Sequence, residues 1–598
     1  MSGFTTRPEL RGTFGMVAST HWIASAVGMS VLERGGNAFD AAVATGFTLQ
    51  VVEPHLNGPG GEVPIIFQAA GERPAVVCGQ GPSPAAAVPE AFDGMERIPG
   101  SGVLPACVPG AFDAWALLAR DHGTLPLRDL LSPAIGYARS GFPLMPQITE
   151  KIAAVRPVFL EHWPTSAEVW LGRGGEVPDP RGFHRNPALA DAYERLLREA
   201  EASARGREGV FDAARRVWRE GFVAEAILDF LADPVADGTG EPHRALLTGD
   251  DLACWSATYE ETCSIDYAGL TVHKTGPWGQ GPVFLQQLRL AEALGTGDAD
   301  PLSADFVHMV TEAAKLGFAD REAHYGDPRL TDVPLEALLS SPYAAERAAM
   351  VTAQASMELR PGSPGGRSPY LPDLEFDAAA GAADRAGGEP TVERSGAQRG
   401  DTCHLDVVDA EGNMVAATPS GGWLASSPVV PGLGFPLGTR GQMFWLDPRS
   451  PSAVAPRKRP RTTLSPTLVT RGGEPVAALG TPGGDQQDQW SLTLFLRLVH
   501  GAARPLEGDL QAAIDAPMFH TNALPSSFYP REIVPGELVV EDRLGAGAIE
   551  ELRRRGHRVT VSGPWTLGRL SAVVRDPASG VLRAAANPRG AQGYAAGR

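Results

Sequence analysis

Cysteine is scarce in this chain of 598 residues, and its few positions exclude small disulfide-stapled proteins and CxxC metal modules. The 5 cysteines are odd in number and widely scattered: Cys78, Cys107, Cys254, Cys263 and Cys403. Such spacing forms neither a disulfide framework nor a paired metal motif. We therefore expect free, reduced thiols, which are typical of cytosolic proteins.

Long apolar runs are also missing. No uninterrupted apolar stretch reaches the length that crosses a bilayer. The segment from Met1 to Leu10 shows no basic region followed by an apolar run, so no secretory signal is visible. We therefore expect a cytoplasmic protein with no membrane partner.

Positive charge is in deficit, with 52 Lys+Arg against 70 Asp+Glu and a net charge of −18. This balance argues against binding to a nucleic-acid backbone. The sequence also shows no P-loop, no dinucleotide fingerprint and no metal-ligand constellation among its 13 dispersed histidines. We expect no nucleic-acid partner, no cofactor and no metal.

Helical and strand-like patterns alternate along the chain. Asn37 is a good N-cap for an early helix, and Val63 to Phe67 and Ala75 to Cys78 resemble strands. Apolar residues at three- and four-residue spacing predict helices near 111–120, 187–204, 222–232, 304–320, 487–500 and 543–555. After residue 402 strand patterns dominate. Together these patterns predict layers of sheet covered by helices.

The composition changes between about residues 351 and 400. Pro361 to Pro369 and Ala378 to Ala383 are poor in bulky apolar residues, and the first of these runs is rich in proline and glycine. We interpret 351–400 as a flexible linker or a long loop. A loop of this length is usually functional or disordered.

Thr402 stands directly after this linker and opens an alternating, strand-like run that ends at Asp409. A threonine hydroxyl is a poor nucleophile until a base removes its proton, and its own α-amino group can be that base. That group becomes free only if the bond between Asp401 and Thr402 is cut. The alternative is an ordinary threonine at the start of a strand. Cys403 should point to the opposite face.

Paired glycines follow a predicted strand at Gly480 to Asp485 and precede a predicted helix. Backbone N–H groups in such a turn can stabilise an oxyanion, and each donor lowers the barrier by about 3 kcal/mol. The alternative is a tight turn that needs positive φ. The similar run Asn57 to Glu62 is interpreted as a cavity wall.

A basic segment, Lys458 to Thr467, combines four hydroxyl groups with three cations. Such a run is often a solvated face. The alternative is a wall that binds the carboxylate of a substrate through hydroxyls and a guanidinium.

Taken in order, these segments resemble the γ-glutamyltransferase family of N-terminal-nucleophile hydrolases. The matching segments are Gly15 to Ser19, Gly35 to Val43, Val52 to His55, His308 to Arg321, Thr402 to Asn413, Lys458 to Thr467, Pro482 to Gly484 and Asp515 to His520. The resemblance implies an αββα sandwich made as a precursor. Cleavage before Thr402 would give a large subunit, 1–401, and a small subunit, 402–598, which together form one globular unit. Assembly into a homo-oligomer stays open.

The resemblance also implies roles for individual residues. Thr402 would attack an amide carbonyl and form an acyl-enzyme, which water or an acceptor amine would then resolve. Ser420 matches a threonine that supports the nucleophile. Gly483 and Gly484 would form the oxyanion hole. Thr462 and Thr463 stand where the family has paired serines that bind the substrate carboxylate.

The contacts specific for glutamate do not carry over from the family. Gln80 stands where an arginine normally grips the α-carboxylate, and Gly422 replaces an asparagine. Positions near Gly441 and Phe444 lack the glutamine and aspartate that hold the α-amino group. This pattern is more similar to divergent members that hydrolyse other amides, such as oxamate or acylated β-lactam side chains.

We therefore predict hydrolysis of a small-molecule amide, or transfer of its acyl group, through Thr402. Arg440 or Arg461 is a candidate replacement for the missing carboxylate anchor. One alternative is a genuine γ-glutamyltransferase and glutathione hydrolase. A second alternative is an unprocessed relative that binds a ligand without catalysis.

Overall fold

Fourteen of the seventeen α-helices described by the computed structural model lie in the first 350 residues. The structure describes residues 4–371, 402–591 and 593–598. In chain order the helices are α1 (Trp22–Glu33), α2 (Ala38–Val52), α3 (Ala111–His122), α4 (Leu127–Ser140), α5 (Pro146–Glu161), α6 (Pro164–Trp170), α7 (Pro187–Ser203), α8 (Arg207–Glu220), α9 (Phe222–Phe230), α10 (Gly249–Cys254), α11 (Gly281–Leu294), α12 (Ala304–His324), α13 (Leu335–Leu338), α14 (Ser341–Ala348), α15 (Gln487–His500), α16 (Leu510–Asp515) and α17 (Ala546–Arg554).

Strands occur in both halves of the chain. They are β1 (Leu10–Gly12), β2 (Gly15–Ser19), β3 (Val63–Gln68), β4 (Ala75–Gly79), β5 (Phe142–Pro143), β6 (Phe183–His184), β7 (Val235–Ala236), β8 (Pro242–His243), β9 (Thr258–Glu261), β10 (Cys263–Tyr267), β11 (Leu270–Lys274), β12 (Leu405–Asp409), β13 (Met414–Ala417), β14 (Thr467–Arg471), β15 (Glu474–Gly480), β16 (Phe519–Thr521), β17 (Glu537–Glu541), β18 (Arg558–Ser562), β19 (Ser571–Arg575), β20 (Leu582–Ala586) and β21 (Tyr594–Gly597).

Two seven-stranded sheets form the centre of the fold. One has the order β1-β20-β19-β15-β14-β11-β10, and the other has the order β21-β2-β12-β13-β3-β4-β9. The sheets stack because β12 and β13 contact β15 and β19 face to face. A dry layer fills the gap between them: Met16, Ala18, Ile66, Val76, Cys78, Trp278, Val408, Met414, Ala416, Leu468, Ala478, Val573, Leu582 and Ala584.

Helices cover the outer face of each sheet. The helix α2 packs on β12 and β13, whereas α11 packs on β10 and β11 and α15 on β15. Burial of both faces fits the composition of the central strands: β13 is apolar at every position and β12 at three of its five. The layer order is therefore helix, sheet, sheet, helix, and the predicted αββα sandwich is confirmed.

The predicted elements agree closely with the observed ones. Asn37 caps α2 in a capping box with Asp40, as its sequence position predicts. The helix predicted over 304–320 extends further, to His324. Thr402 lies just before β12 rather than within it. Within the described residues, no helix is long and apolar enough to cross a membrane.

The predicted linker is described only in part. Residues 351–371 form no α-helix or strand, but they hydrogen-bond to their surroundings. Arg360 pairs with Glu312 of α12 at 2.8 Å, and the Ala355 N–H donates to the Arg555 carbonyl at 2.7 Å. This portion is therefore a loop that contacts the fold, and the interpretation of 351–400 as a flexible linker or a long loop stays a prediction. Residues 372–401, including Asp401, lie outside the described residues.

Candidate active site

Thr402 is completely buried at the entrance to the central strand β12. It forms an antiparallel bridge with Ser420, which lies three residues after β13. The next residue continues this pairing, since the Cys403 N–H donates to the Pro419 carbonyl at 2.9 Å. The Thr402 Oγ1 donates to the Ser420 Oγ at 3.3 Å. The structure thus brings together two residues that the family resemblance pairs.

Cys403 faces away from this pair, as strand alternation predicts. Its Sγ lies 3.0 Å from a Glu53 carboxylate oxygen and accepts from the Asn57 amide at 3.1 Å. Burial, assisted by Glu53, raises the pKa of the Cys403 thiol well above its ordinary value. A thiol held in its neutral form is a poor nucleophile. The raised pKa and the orientation of Cys403 therefore disfavour it as the nucleophile.

An ion pair lies directly behind Ser420. The Arg440 Nη2 donates to the Ser420 Oγ at 2.9 Å, and its Nε donates to the Glu62 Oε1 at 2.5 Å. Glu62 and Ser420 are also joined through their backbones, by N–H to carbonyl bonds of 2.9 and 3.0 Å in the two directions. Burial raises the pKa of Glu62, and the adjacent Arg440 opposes this rise. Sequence reasoning proposed Arg440 as a substrate anchor and missed the partnership with Glu62.

The glycines before Glu62 allow three chain segments to cross closely. A Cβ on Gly61 would lie 2.1 Å from the Ser420 carbonyl oxygen, and one on Gly60 would lie 2.2 Å from the Pro436 oxygen. Gly421 has φ +74°, and a Cβ there would lie only 2.5 Å from a Glu62 carboxylate oxygen. Backbone contact at these distances is open only to glycine. The segment predicted as a cavity wall therefore supports Ser420 directly.

The paired glycines at the predicted oxyanion hole follow β15. Gly483 has φ +107°, and a Cβ there would lie 2.6 Å from the Trp490 ring. The Gly484 carbonyl accepts at 3.2 Å from the N–H of Gln487, the first residue of α15. The turn therefore needs glycine for its conformation, and its oxyanion role stays a prediction.

His404 connects the nucleophile strand to that turn. A Cβ on Gly480 would lie 2.3 Å from the His404 ring. The two ring nitrogens hydrogen-bond to Thr418 and Asp406, both at 2.9 Å. This side chain is tied into strand packing between the sheets. These contacts make His404 a structural residue rather than a general base.

The basic segment 458–467 is buried, so its interpretation as a solvated face is wrong. Lys458 donates to two carbonyls, of Pro451 and Ala453. Arg459 pairs with Asp327 at 2.9 Å. These two cations therefore have structural partners, because charges removed from water need them.

Arg461 belongs to a compact cluster of buried charges. It pairs with Glu322 at 2.9 Å, while Arg321 pairs with Asp485. Arg531 is also buried, and its pKa is lowered to about 9 by burial, which Glu322 opposes. Burial alone would raise the pKa of Glu322, but these arginines outweigh it and lower the pKa. Three guanidinium groups thus face two carboxylates.

A loop connects the charge cluster to the Ser420 region. The Ser527 N–H and hydroxyl both donate to Asp485, at 2.8 and 2.6 Å. The next side chain, Phe528, lies against the guanidinium of Arg440 at 5.7 Å. Adjacent residues of one loop therefore contact both groups of charges. Sequence reasoning missed this loop, because nothing in its local pattern signals a role.

The other predicted binding residues are buried polar groups. Thr462 is bridged to Gly279, and the Thr463 Oγ1 has no hydrogen-bond partner within the described residues. Gln80 donates to the Gly81 carbonyl at 3.0 Å, and its Oε1 likewise lacks a partner in the described part of the chain. Phe444 packs in a small apolar cluster. The binding roles predicted for Thr462, Thr463 and Gln80 stay predictions.

One group of potential metal ligands escaped the sequence search. His308, Glu312 and His557 offer ligand atoms within 4.8 Å of one another. However, the two histidines hydrogen-bond to each other at 2.8 Å, and Glu312 already pairs with Lys315 and Arg360. Because two cations already pair with the Glu312 carboxylate, binding of a divalent metal ion at this position is disfavoured. The cluster therefore serves as a polar contact between α12 and the segment before β18.

The sequence profile of the gamma-glutamyltranspeptidase family matches residues 24–597. This chain belongs to the γ-glutamyltranspeptidase family. The resemblance drawn from ordered motifs is therefore confirmed over nearly the whole chain.

Individual members of the γ-glutamyltranspeptidase family are similar to this chain over nearly their full length. The glutathione hydrolase-like YwrD proenzyme of Bacillus subtilis (strain 168) is 30% identical over 97% of this chain and 98% of its own. The oxamate amidohydrolase proenzyme of Klebsiella pneumoniae subsp. pneumoniae is 31% identical over 98% of both. A solved structure of LmbA2991HD is 53% identical, with a TM-score of 0.92 over 100% of both chains. The protein is thus the precursor of an amide-hydrolysing or acyl-transferring enzyme.

Proposed function

We propose that this protein cleaves itself before Thr402 and then hydrolyses small-molecule amides through that residue. The observation that carries the proposal is the buried contact of the Thr402 Oγ1 with the Ser420 Oγ at 3.3 Å, at the entrance to a central strand. The full-length similarity to proenzymes supports it.

Self-cleavage would begin with attack of the Thr402 Oγ on the carbonyl carbon of Asp401. The C–O bond forms while the C–N bond of the peptide breaks, and the hydroxyl proton passes to the departing nitrogen. The product is an ester of Asp401 on Thr402 with a free α-amine. Water then hydrolyses the ester, which leaves Thr402 as a new amino terminus.

Amide hydrolysis would repeat this chemistry on a substrate. The α-amine of Thr402 accepts the hydroxyl proton, and the Oγ attacks the amide carbonyl. N–H groups at Gly483 and Gly484 would stabilise the negative oxygen of the tetrahedral intermediate. The proton passes to the leaving amine, and water releases the acyl group as a carboxylate.

We further propose that the substrate carries a carboxylate bound near Arg461. Three arginines face two acids in that cluster, so one positive charge lacks a counter-charge within it. Burial makes an uncompensated charge costly, and a bound carboxylate would remove that cost. Gln80 at the family's arginine position is consistent with a relocated anchor and with substrates other than γ-glutamyl compounds.

The substrate proposal is tested by comparing two substrates in one variant. For Arg461→Met we expect KM to rise about 10- to 100-fold for a carboxylate-bearing amide, because a charged hydrogen bond is lost. The methyl ester of the same amide should show an unchanged KM. Because both substrates meet the same protein, a folding defect cannot produce this difference. Equal changes for both substrates would refute the assignment.

A glutathione hydrolase is the second candidate, favoured by the 30% identity to a glutathione hydrolase-like proenzyme. A chromogenic γ-glutamyl anilide, assayed with and without a dipeptide acceptor, distinguishes the two. We expect turnover of oxalyl or acyl amides to exceed that of the anilide. Acceptor-stimulated turnover of the anilide above all other amides would establish the second candidate instead.

A further inference from the structure

We propose that Arg440 and Glu62 form a positioning pair that holds Ser420 for chemistry at Thr402. This inference rests on the proposed function, because it assigns the pair to the same self-cleavage and hydrolysis. It also replaces the expectation that Arg440 binds the substrate carboxylate.

The guanidinium of Arg440 contacts two partners. Its Nε and Nη2 both lie 2.5 Å from the Glu62 Oε1, and its Nη2 also donates to the Ser420 Oγ at 2.9 Å. The same Ser420 Oγ accepts from the Thr402 Oγ1 at 3.3 Å. A continuous chain of polar contacts thus runs from a buried carboxylate to the nucleophile. Arg440 therefore acts on Thr402 through Ser420.

The surroundings fix both members of the pair. Two backbone hydrogen bonds join Glu62 to Ser420, and they fix the backbone position from which the Glu62 carboxylate extends. Arg440 is only 1% exposed, and its guanidinium lies 5.8 Å from the Trp423 ring and 5.7 Å from the Phe528 ring. Aromatic faces attract a guanidinium and restrict its motion. The pair is therefore preorganised before any substrate arrives.

The charge of Arg440 suits a role at the nucleophile. A cation that donates to the Ser420 Oγ makes the serine hydroxyl a stronger donor. When the Thr402 proton leaves, Ser420 can turn that hydroxyl toward the developing negative oxygen. Glu62 balances the cation and holds it, which makes the pair neutral overall. Arg440 and Glu62 balance one to one, whereas Arg461 lies among three arginines and two acids, so Arg440 is a weaker candidate than Arg461 for binding a further carboxylate.

Three variants of the full chain separate the contributions of charge and geometry. Arg440→Met removes the cation, whereas Arg440→Lys keeps the charge but lacks the fork that spans two partners. Glu62→Gln keeps the shape and removes the anion. For Arg440→Met we expect self-cleavage about 10- to 100-fold slower, because a hydrogen bond from a charged group to Ser420 is lost. Arg440→Lys should fall between this variant and the wild type.

The processed Glu62→Gln enzyme gives a readout that misfolding would not produce. An unbalanced cation near the Thr402 α-ammonium group should lower its pKa. The acid limb of the kcat/KM profile should therefore move to lower pH, with kcat reduced and KM little changed. Arg215→Met, which breaks the buried pair of Arg215 with Asp113 at 2.8 Å, is the matched control and should cleave at the wild-type rate.

Two results would overturn the inference. One is wild-type cleavage, kcat and pH profile in folded Arg440→Met. The other is an effect on KM alone, which would make Arg440 a substrate anchor after all. Thr402→Ala distinguishes this failure from that of the proposed function, because cleavage that persists in Thr402→Ala would refute the nucleophile assignment whatever Arg440 does.

Discussion

Single buried side chains set different electrostatics on the two faces of the nucleophile strand. On one face the pKa of Glu53 is raised by burial, and Cys403 and Thr20 hydrogen-bond to its carboxylate. On the other face Arg440 places a cation behind the hydroxyl of Ser420. The two neighbours Thr402 and Cys403 therefore lie in different electrostatic surroundings.

His520 provides a test of buried electrostatics away from that strand. Burial lowers its pKa to about 3, and neither ring nitrogen has a hydrogen-bond partner within the described residues. Below the unfolded value near 6.5, unfolded chains bind a proton that the folded protein does not, so stability falls as pH falls toward 3. In His520→Phe, the slope of the unfolding free energy against pH should be smaller by about 1.4 kcal/mol per pH unit between pH 6 and 4.

The measurement is urea unfolding of uncleaved Thr402→Ala protein, with and without His520→Phe, at several pH values. The ring packs edge-on against Trp490 at 5.3 Å, which a phenyl group can reproduce. Parallel stability curves for the two proteins across this pH range would show that the histidine is protonated in the folded state.

At the scale of elements, the site depends on where strands end. Ser420 follows β13, Glu62 precedes β3, and the Gly483 turn follows β15. Sequence patterns predicted these strands and turns well, because apolar alternation and paired glycines are local signals. They could not predict the contact between Glu62 and Arg440, which are 378 residues apart in the chain.

The glycine crossing beside Glu62 should be intolerant of even one methyl group. A Cβ on Gly60 would meet backbone atoms, at 2.2 Å from the Pro436 oxygen, so little can move aside. We expect Gly60→Ala to lower the unfolding free energy by about 1–3 kcal/mol and to slow self-cleavage. Urea unfolding and a cleavage time course measure the two effects.

Gly136→Ala is the matched control for this substitution. Gly136 lies in α4 with no atom within 4 Å of an added Cβ, so alanine should stabilise the helix by about 0.5–1 kcal/mol. If both variants behaved alike, close backbone packing at the crossing would not be what requires glycine.

At the scale of the whole molecule, the two predicted subunits are interleaved. In the part of the chain that the structure describes, five strand pairings join a strand before residue 371 to one after 402: β1 with β20, β2 with β12, β2 with β21, β3 with β13, and β11 with β14. Both sheets therefore include strands from either side of the predicted cleavage site. Thr402 and the family resemblance predict the boundary, but only the sheet order shows this interleaving.

Cleavage should therefore leave the molecule in one piece. Separating the subunits would break these five strand pairings and expose the buried faces of both sheets. Dissociation would therefore require unfolding. We expect the cleaved protein to elute from a size-exclusion column with the uncleaved Thr402→Ala protein, and to give two bands only in denaturing gels. Two separate peaks in native buffer would contradict the interleaved assembly.

The central claim is that Thr402 becomes an amino-terminal nucleophile, and intact mass with amino-terminal sequencing tests it most directly. The account predicts that the wild-type protein yields a fragment beginning at Thr402 and hydrolyses amides. It predicts that Thr402→Ala stays whole and inactive. An uncut wild-type chain that hydrolyses amides, or full turnover by Thr402→Ala, would contradict it.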